Sequence, residues 1–170
     1  MRVINGRFHY FVEGSCEQKL VTTLIRQQMI IPGKPEVFNP IQDHLKTTHL
    51  RRFSFKTNII LIFDMDKSLT NTLQENLEFL HSQPNIKNVF TVLQDGNLED
   101  ELMNCTDIRT LKELLNCSHN SDFKSAFIAE KRLFEKLQSH HFDFQKLWSS
   151  PPLQPFLKLG LQNQGNMIKL

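Results

Sequence analysis

Asn58-Ile59-Ile60-Leu61-Ile62-Phe63-Asp64-Met65-Asp66 is the stretch on which the fold turns. The apolar run from Ile59 to Phe63 shows no polar alternation, which predicts a strand covered on both faces, as in a parallel sheet. It stops at two carboxylates one residue apart. An earlier apolar run, Phe8-His9-Tyr10-Phe11-Val12, stops in the same manner at Glu13-Gly14. Strand ends of a parallel sheet converge on one edge, so Glu13, Asp64 and Asp66 are expected to meet there. Three oxygen ligands from two segments suit Mg²⁺ while leaving positions for water and phosphate. The pattern therefore predicts a metal-dependent enzyme acting on phosphodiesters.

Working outward, Ser15 is the expected N-cap of a helix over 16–25, with Leu20, Leu24 and Ile25 on one face. Pro32, Gly33 and Pro35 mark an exit loop before a short extended piece at 36–39. A polar, partly helical connection then leads through Arg51-Arg52 to the Asn58–Phe63 strand. Leu73, Leu77 and Leu80 predict a helix within 69–80, Pro84-Asn85 breaks it, and 87–93 is again β-rich. This alternation predicts an α/β fold of about four mostly parallel strands joined by right-handed crossovers. Beyond Leu98 the pattern changes to short helices, expected at 98–103, 108–115, 123–128, 133–137 and 142–148. Residues 1–105 thus form the α/β domain and 106–150 a helical extension packed on it. Residues 151–170, with Pro155, Gly160 and Gly165, form a tail that either wraps the domain or is partly disordered.

A chain of 170 residues suits one buried core with an appendage. Twenty basic against eighteen acidic side chains, a net charge of +2, permit a nucleic-acid partner without requiring one. Cys16, Cys105 and Cys117 form neither an even disulfide set nor a CxxC pair. There is no signal-like N-terminus and no apolar run of the roughly 20 residues that span a bilayer. A soluble cytoplasmic protein without a membrane partner is expected. The chain has no Walker loop, GxGxxG or Gly-x-Ser-x-Gly, and its histidines show no zinc spacing.

The Glu-Gly after a first strand, the amphipathic helix, and the Asp-x-Asp after a later strand resemble the Toprim domain of topoisomerases, bacterial primases and small nucleases, over roughly residues 8–100. The resemblance implies that Glu13, Asp64 and Asp66 bind Mg²⁺ or Mn²⁺, and that Glu13 also serves as general acid or base. Leu93-Gln94-Asp95-Gly96-Asn97-Leu98-Glu99-Asp100-Glu101-Leu102 resembles the acidic segment of small Toprim nucleases in bacterial antiphage and abortive-infection systems. On a helix, adjacent Glu99 and Asp100 point about 100° apart, so only one or two of these acids can face the site. Asp100 is the first choice and Glu99 the second. The resemblance further implies a DNA or RNA substrate, a role in phage defence, and a separate ATPase sensor, because this chain carries no ATP-binding motif.

Two other functions remain open on the residues alone. Asp64-Met65-Asp66-Lys67-Ser68 also resembles the nucleophile motif of haloacid-dehalogenase-like phosphatases, with Asp64 attacking phosphate and Asp66 handling the leaving-group proton. Lys67 and Ser68 depart from that motif, which also gives Glu13 no role. A non-catalytic Toprim-like scaffold binding nucleic acid or protein is the other alternative, since Glu-Gly and Asp-x-Asp also occur as plain turns and caps. Arg51, Arg52 and Lys56, interleaved with Phe53 and Phe55, and Lys124, Lys131, Arg132 and Lys136 are either phosphate contacts or solvated faces. Lys124 leads among them, because Ser121-Asp122-Phe123-Lys124 opens a helix near whose N-terminus an anion could dock. Trp148 with Phe142, Phe144 and Leu147 reads as a hydrophobic clasp for the C-terminal helices rather than a base-stacking platform.

Overall fold

The computed structural model describes residues 6–53, 56–65, 71–115, 117 and 122–170. Four strands, β1 (Arg7–Val12), β2 (Lys34–Val37), β3 (Thr57–Asp64) and β4 (Ile86–Gln94), form one sheet in the order β2-β1-β3-β4. Every pairing is parallel. The expected α/β architecture is present, and the sheet is wholly rather than mostly parallel.

The apolar run of β3 explains why it lies inside. All eight of its residues are buried, and its side chains alternate between two separate cores. Ile60 and Ile62 join one core with Tyr10, Val12 and Val92, whereas Ile59, Leu61 and Phe63 join the other with Phe11 and Leu93. A strand that must be apolar on both faces has no room for the polar alternation of a solvated sheet.

Helix α1 (Ser15–Arg26) covers the first face through Leu20, Val21 and Leu24. It is joined there by α4 (Leu98–Cys105), α5 (Leu111–Leu115), α6 (Phe123–Ala129) and α7 (Leu133–Ser139). The second face is covered by α2 (Thr47–Leu50), α3 (Asn71–Ser82) and α8 (Gln154–Lys158), through Leu50, Leu73, Leu80 and Phe156. The extension therefore shares a core with the sheet, as Phe123, Phe127, Leu133, Leu137 and Trp148 pack with Leu20 and Val21.

Three local expectations are corrected. Gly14, not Ser15, is the N-cap of α1, and Ser15 is the first helical residue. Strand β2 starts at Lys34 and takes in Pro35, a residue allowed on an edge strand because its missing N–H faces away from the sheet. Residues 142–148 form no helix, with turns over 144–148, and Trp148 takes a left-handed φ of 55°.

The tail wraps the domain. Its Asn163 side chain donates to the Leu93 carbonyl at 2.9 Å and accepts from the Leu93 N–H at 3.1 Å, acting as a stand-in peptide group along edge strand β4. Gln164 does the same at Thr91, its N–H donating to the carbonyl at 2.8 Å and its Oε1 accepting from the N–H at 2.9 Å. Among the described residues no helix is long and apolar enough to cross a membrane.

Candidate functional site

The sheet order places a crevice between β1 and β3. After β1 the chain crosses over α1 to β2 on one side, while after β3 it crosses over α3 to β4 on the other, and the two helices lie on opposite faces. Loops that diverge in this way leave an opening beyond the carboxyl ends of the strands, where ligands bind in open α/β sheets. Glu13 and Asp64 stand at those two ends. Lining the opening is a cleft of about 680 Å³, whose walls include Glu13, Glu17, Asn39, Asp64, Glu99 and Lys124.

Glu13 is held by neighbours on both sides. Its Oε1 accepts from the Asn39 side-chain amide at 2.9 Å, and its Oε2 accepts from the backbone N–H of Asp64 at 3.2 Å. The second bond ties the ends of the two strands together through the candidate site itself. Asp64 is buried, and its Oδ1 accepts from the side-chain amide of Gln94 at 2.7 Å. Gln94 is its register partner at the end of β4, so that bond follows directly from the pairing of the strands.

Glu17 was not singled out from sequence, yet it is the most unusual charge here. Only 8 % exposed on the first turn of α1, it faces the cleft beside Glu13. Burial pushes its carboxyl pKa up. A backbone hydrogen bond opposes the rise, the nearby Glu13 and Glu99 charges add to it, and a hydrogen bond with Gln94 opposes it again. Gly14 lies against this side chain, and a Cβ there would stand 2.7 Å from Glu17 Oε2, so the carboxylate would have to shift. The Glu-Gly pair thus has a physical reason beyond a turn: the glycine leaves room for a second carboxylate. Glu13 precedes α1 and Glu17 lies in its first turn, so no helical spacing links the two in the sequence; the strand-to-helix turn at Gly14 brings them to one cleft.

The acidic segment after β4 divides by direction. Glu99 lines the cleft, whereas the Asp100 side chain lies against Gly96, where an added Cβ would stand 2.5 Å from Asp100 Oδ2. Asn97 caps this helix by accepting from the Asp100 N–H. Glu101 points inward, only 2 % exposed, where its Oε2 accepts from the Asp95 N–H at 2.9 Å and its Oε1 from the Trp148 N–H. The Trp148 indole N–H in turn donates to Gln94 Oε1 at 3.3 Å.

The basic candidates separate as well. Lys124 reaches the cleft wall from α6. Arg52 instead pairs with Glu36 beside His9 and stacks over Phe53, 5.3 Å from the ring centroid. His9, buried there, is held neutral, its pKa lowered to about 4 by burial and then by Arg52, against the pull of Glu36. Arg51 caps α2 by its backbone and is exposed. Neither arginine lines the cleft.

Carboxylate oxygens are the donors that Mg²⁺ and Mn²⁺ take, and Glu13, Glu17, Asp64 and Glu99 supply them around one opening. Among the described residues, no group of three or more His, Cys, Asp and Glu side chains is close enough to hold an ion. Asp66 lies outside the described residues, as do Lys67 and Ser68 of the phosphatase-like motif. No family model, curated protein or solved structure matches this chain.

Proposed function

We propose that the chain is a Toprim-like nuclease that uses Mg²⁺ or Mn²⁺ to cleave nucleic-acid phosphodiester bonds. The observation that carries this reading is the convergence of Glu13, Asp64 and Glu99, with Glu17, on one cleft at the switch point of a parallel sheet, with Lys124 on the wall. Glu13 and Asp64 would hold the ion, with Asp66 and Glu99, the acid of its segment that lines the cleft, completing its shell. When bound, the ion supplies charge to polarise the scissile phosphate and lowers the pKa of a bound water.

The chain's own residues account for the rest. Asn39 and the Asp64 N–H fix both oxygens of Glu13, so its carboxylate is aimed before substrate arrives. This suits the general acid or base role. Lys124 brings a positive charge to a cleft that would otherwise repel a polyanion. The phosphatase alternative gives Glu13 and Glu17 no role, whereas the nuclease reading uses Glu13. The same resemblance extends the proposal to phage defence, with a separate ATPase sensor as partner.

Asp64→Asn tests the chemistry, since the amide keeps the shape and the Gln94 bond but removes the charge that retains the metal. The purified wild-type chain is expected to cleave DNA or RNA only when Mn²⁺ or Mg²⁺ is added, and Asp64→Asn to lose both cleavage and calorimetric Mn²⁺ binding. Undiminished cleavage by the variant would overturn the mechanism. A wild-type chain that neither binds Mn²⁺ nor cleaves would leave the scaffold alternative in its place.

A further inference from the structure

We propose that Gln94 is a positioning residue for Asp64, with Trp148 of the C-terminal extension fixing which way its carboxamide faces. The proposal rests on the reading of Asp64 as part of the site. Gln94 is fully buried, and a glutamine amide can turn over to exchange its oxygen and nitrogen. An indole N–H can only donate, so the Trp148 bond requires the Gln94 oxygen to face the indole. The NH₂ group is then left to face the carboxylate, donating to Asp64 Oδ1 at 2.7 Å. Turned the other way, the amide would set its oxygen against Asp64 and its NH₂ against an indole that accepts nothing. Both contacts would be lost together.

Trp148 is itself held from two further directions. Its backbone N–H is taken by Glu101, and Gly165 of the tail presses so close that a Cβ would stand 2.2 Å from the Trp148 carbonyl oxygen. The extension and the tail thereby reach the geometry of the Asp64 carboxylate through Gln94. Partners at this remove commonly change metal affinity or activity by about 10–100-fold when removed.

Trp148 is the only tryptophan in the chain, so its indole gives one N–H cross-peak in a ¹H–¹⁵N spectrum. Asp64→Ala is expected to shift that peak when Gln94 is present and to leave it unmoved in a Gln94→Met background. This measurement needs no metal. By calorimetry with Mg²⁺ on the full chain, Trp148→Phe should weaken binding about 10–100-fold and add no further loss to Gln94→Met. Should Gln94→Met fail to fold, Gln94→Leu, which likewise lacks the NH₂ donor and the carboxamide oxygen, takes its place. An indole peak indifferent to Asp64→Ala, or Mg²⁺ binding unchanged in Trp148→Phe, would overturn the proposal. If the wild-type chain takes up no Mg²⁺, the proposed nuclease function falls and the indole measurement alone decides the positioning role.

Discussion

Glu17 and Glu101 are both glutamates buried near the carboxyl ends of the strands, and burial raises the pKa of each. Their surroundings differ. Glu101 is met by two backbone N–H groups, from Asp95 and Trp148, and joins a strand end to the extension. Glu17 has one backbone hydrogen bond, within its own residue, and faces a cleft with Glu13 and Glu99 as neighbours. A buried carboxylate matched by backbone donors serves the architecture; one gathered with like charges weakens the fold unless something positive joins it. The contrast separates two acids that a count of charges would treat alike.

Glu101→Ala should give the largest change in stability. It would leave one buried and one half-buried N–H without their acceptor, at an expected cost of about 2–4 kcal/mol, read as a lower urea midpoint. A change below about 0.5 kcal/mol, the size of an ordinary surface substitution, would put Glu101 on the same footing as a solvated residue.

Glu17→Gln should act in the opposite direction and depend on pH. The folded-state pKa of Glu17 lies above its ordinary value of 4.5, so protonation favours folding. Its contribution is fully present below that ordinary value and is lost as pH rises through the raised one. The variant escapes this loss. Its melting temperature should match the wild type near pH 4 and exceed it at pH 8. A lower melting temperature at pH 8 would mean that the Glu17 charge is compensated in the fold.

The smallest stability effect is expected from Lys124→Ala, an exposed position on α6. Stability should stay within about 0.5 kcal/mol, while substrate binding weakens and its salt slope falls by about 1. An unchanged slope would return Lys124 to the solvated face of its helix.

The architecture was legible because β1, β3 and β4 are written as apolar runs and the helices between them as spaced leucines. Glu13 and Asp64 could be paired from sequence because both follow such runs. Glu17, Gln94 and Glu101 could not be assigned, since their roles depend on contacts across the fold: Gln94 matters through its register with Asp64 and its bond to Trp148. The helix expected over 142–148 failed for a related reason. Its apolar spacing is real, with Phe142, Phe144, Leu147 and Trp148 all packed on the core, but the turns carry Trp148 with a positive φ to meet Glu101. Tertiary partners, not periodicity, set that backbone.

The amides of Asn163 and Gln164 occupy the hydrogen-bonding positions on β4 that another strand would use. An exposed parallel edge is a template on which a second molecule can add its own strand, the first step towards open-ended association. Here an intruding strand must first displace the tail, whereas at the opposite edge β2 is short and carries Lys34 and Pro35. Residues 162–164 thus cover this edge, and a chain shortened before Gln162 would leave the backbone groups of Thr91 and Leu93 open to any strand that came near.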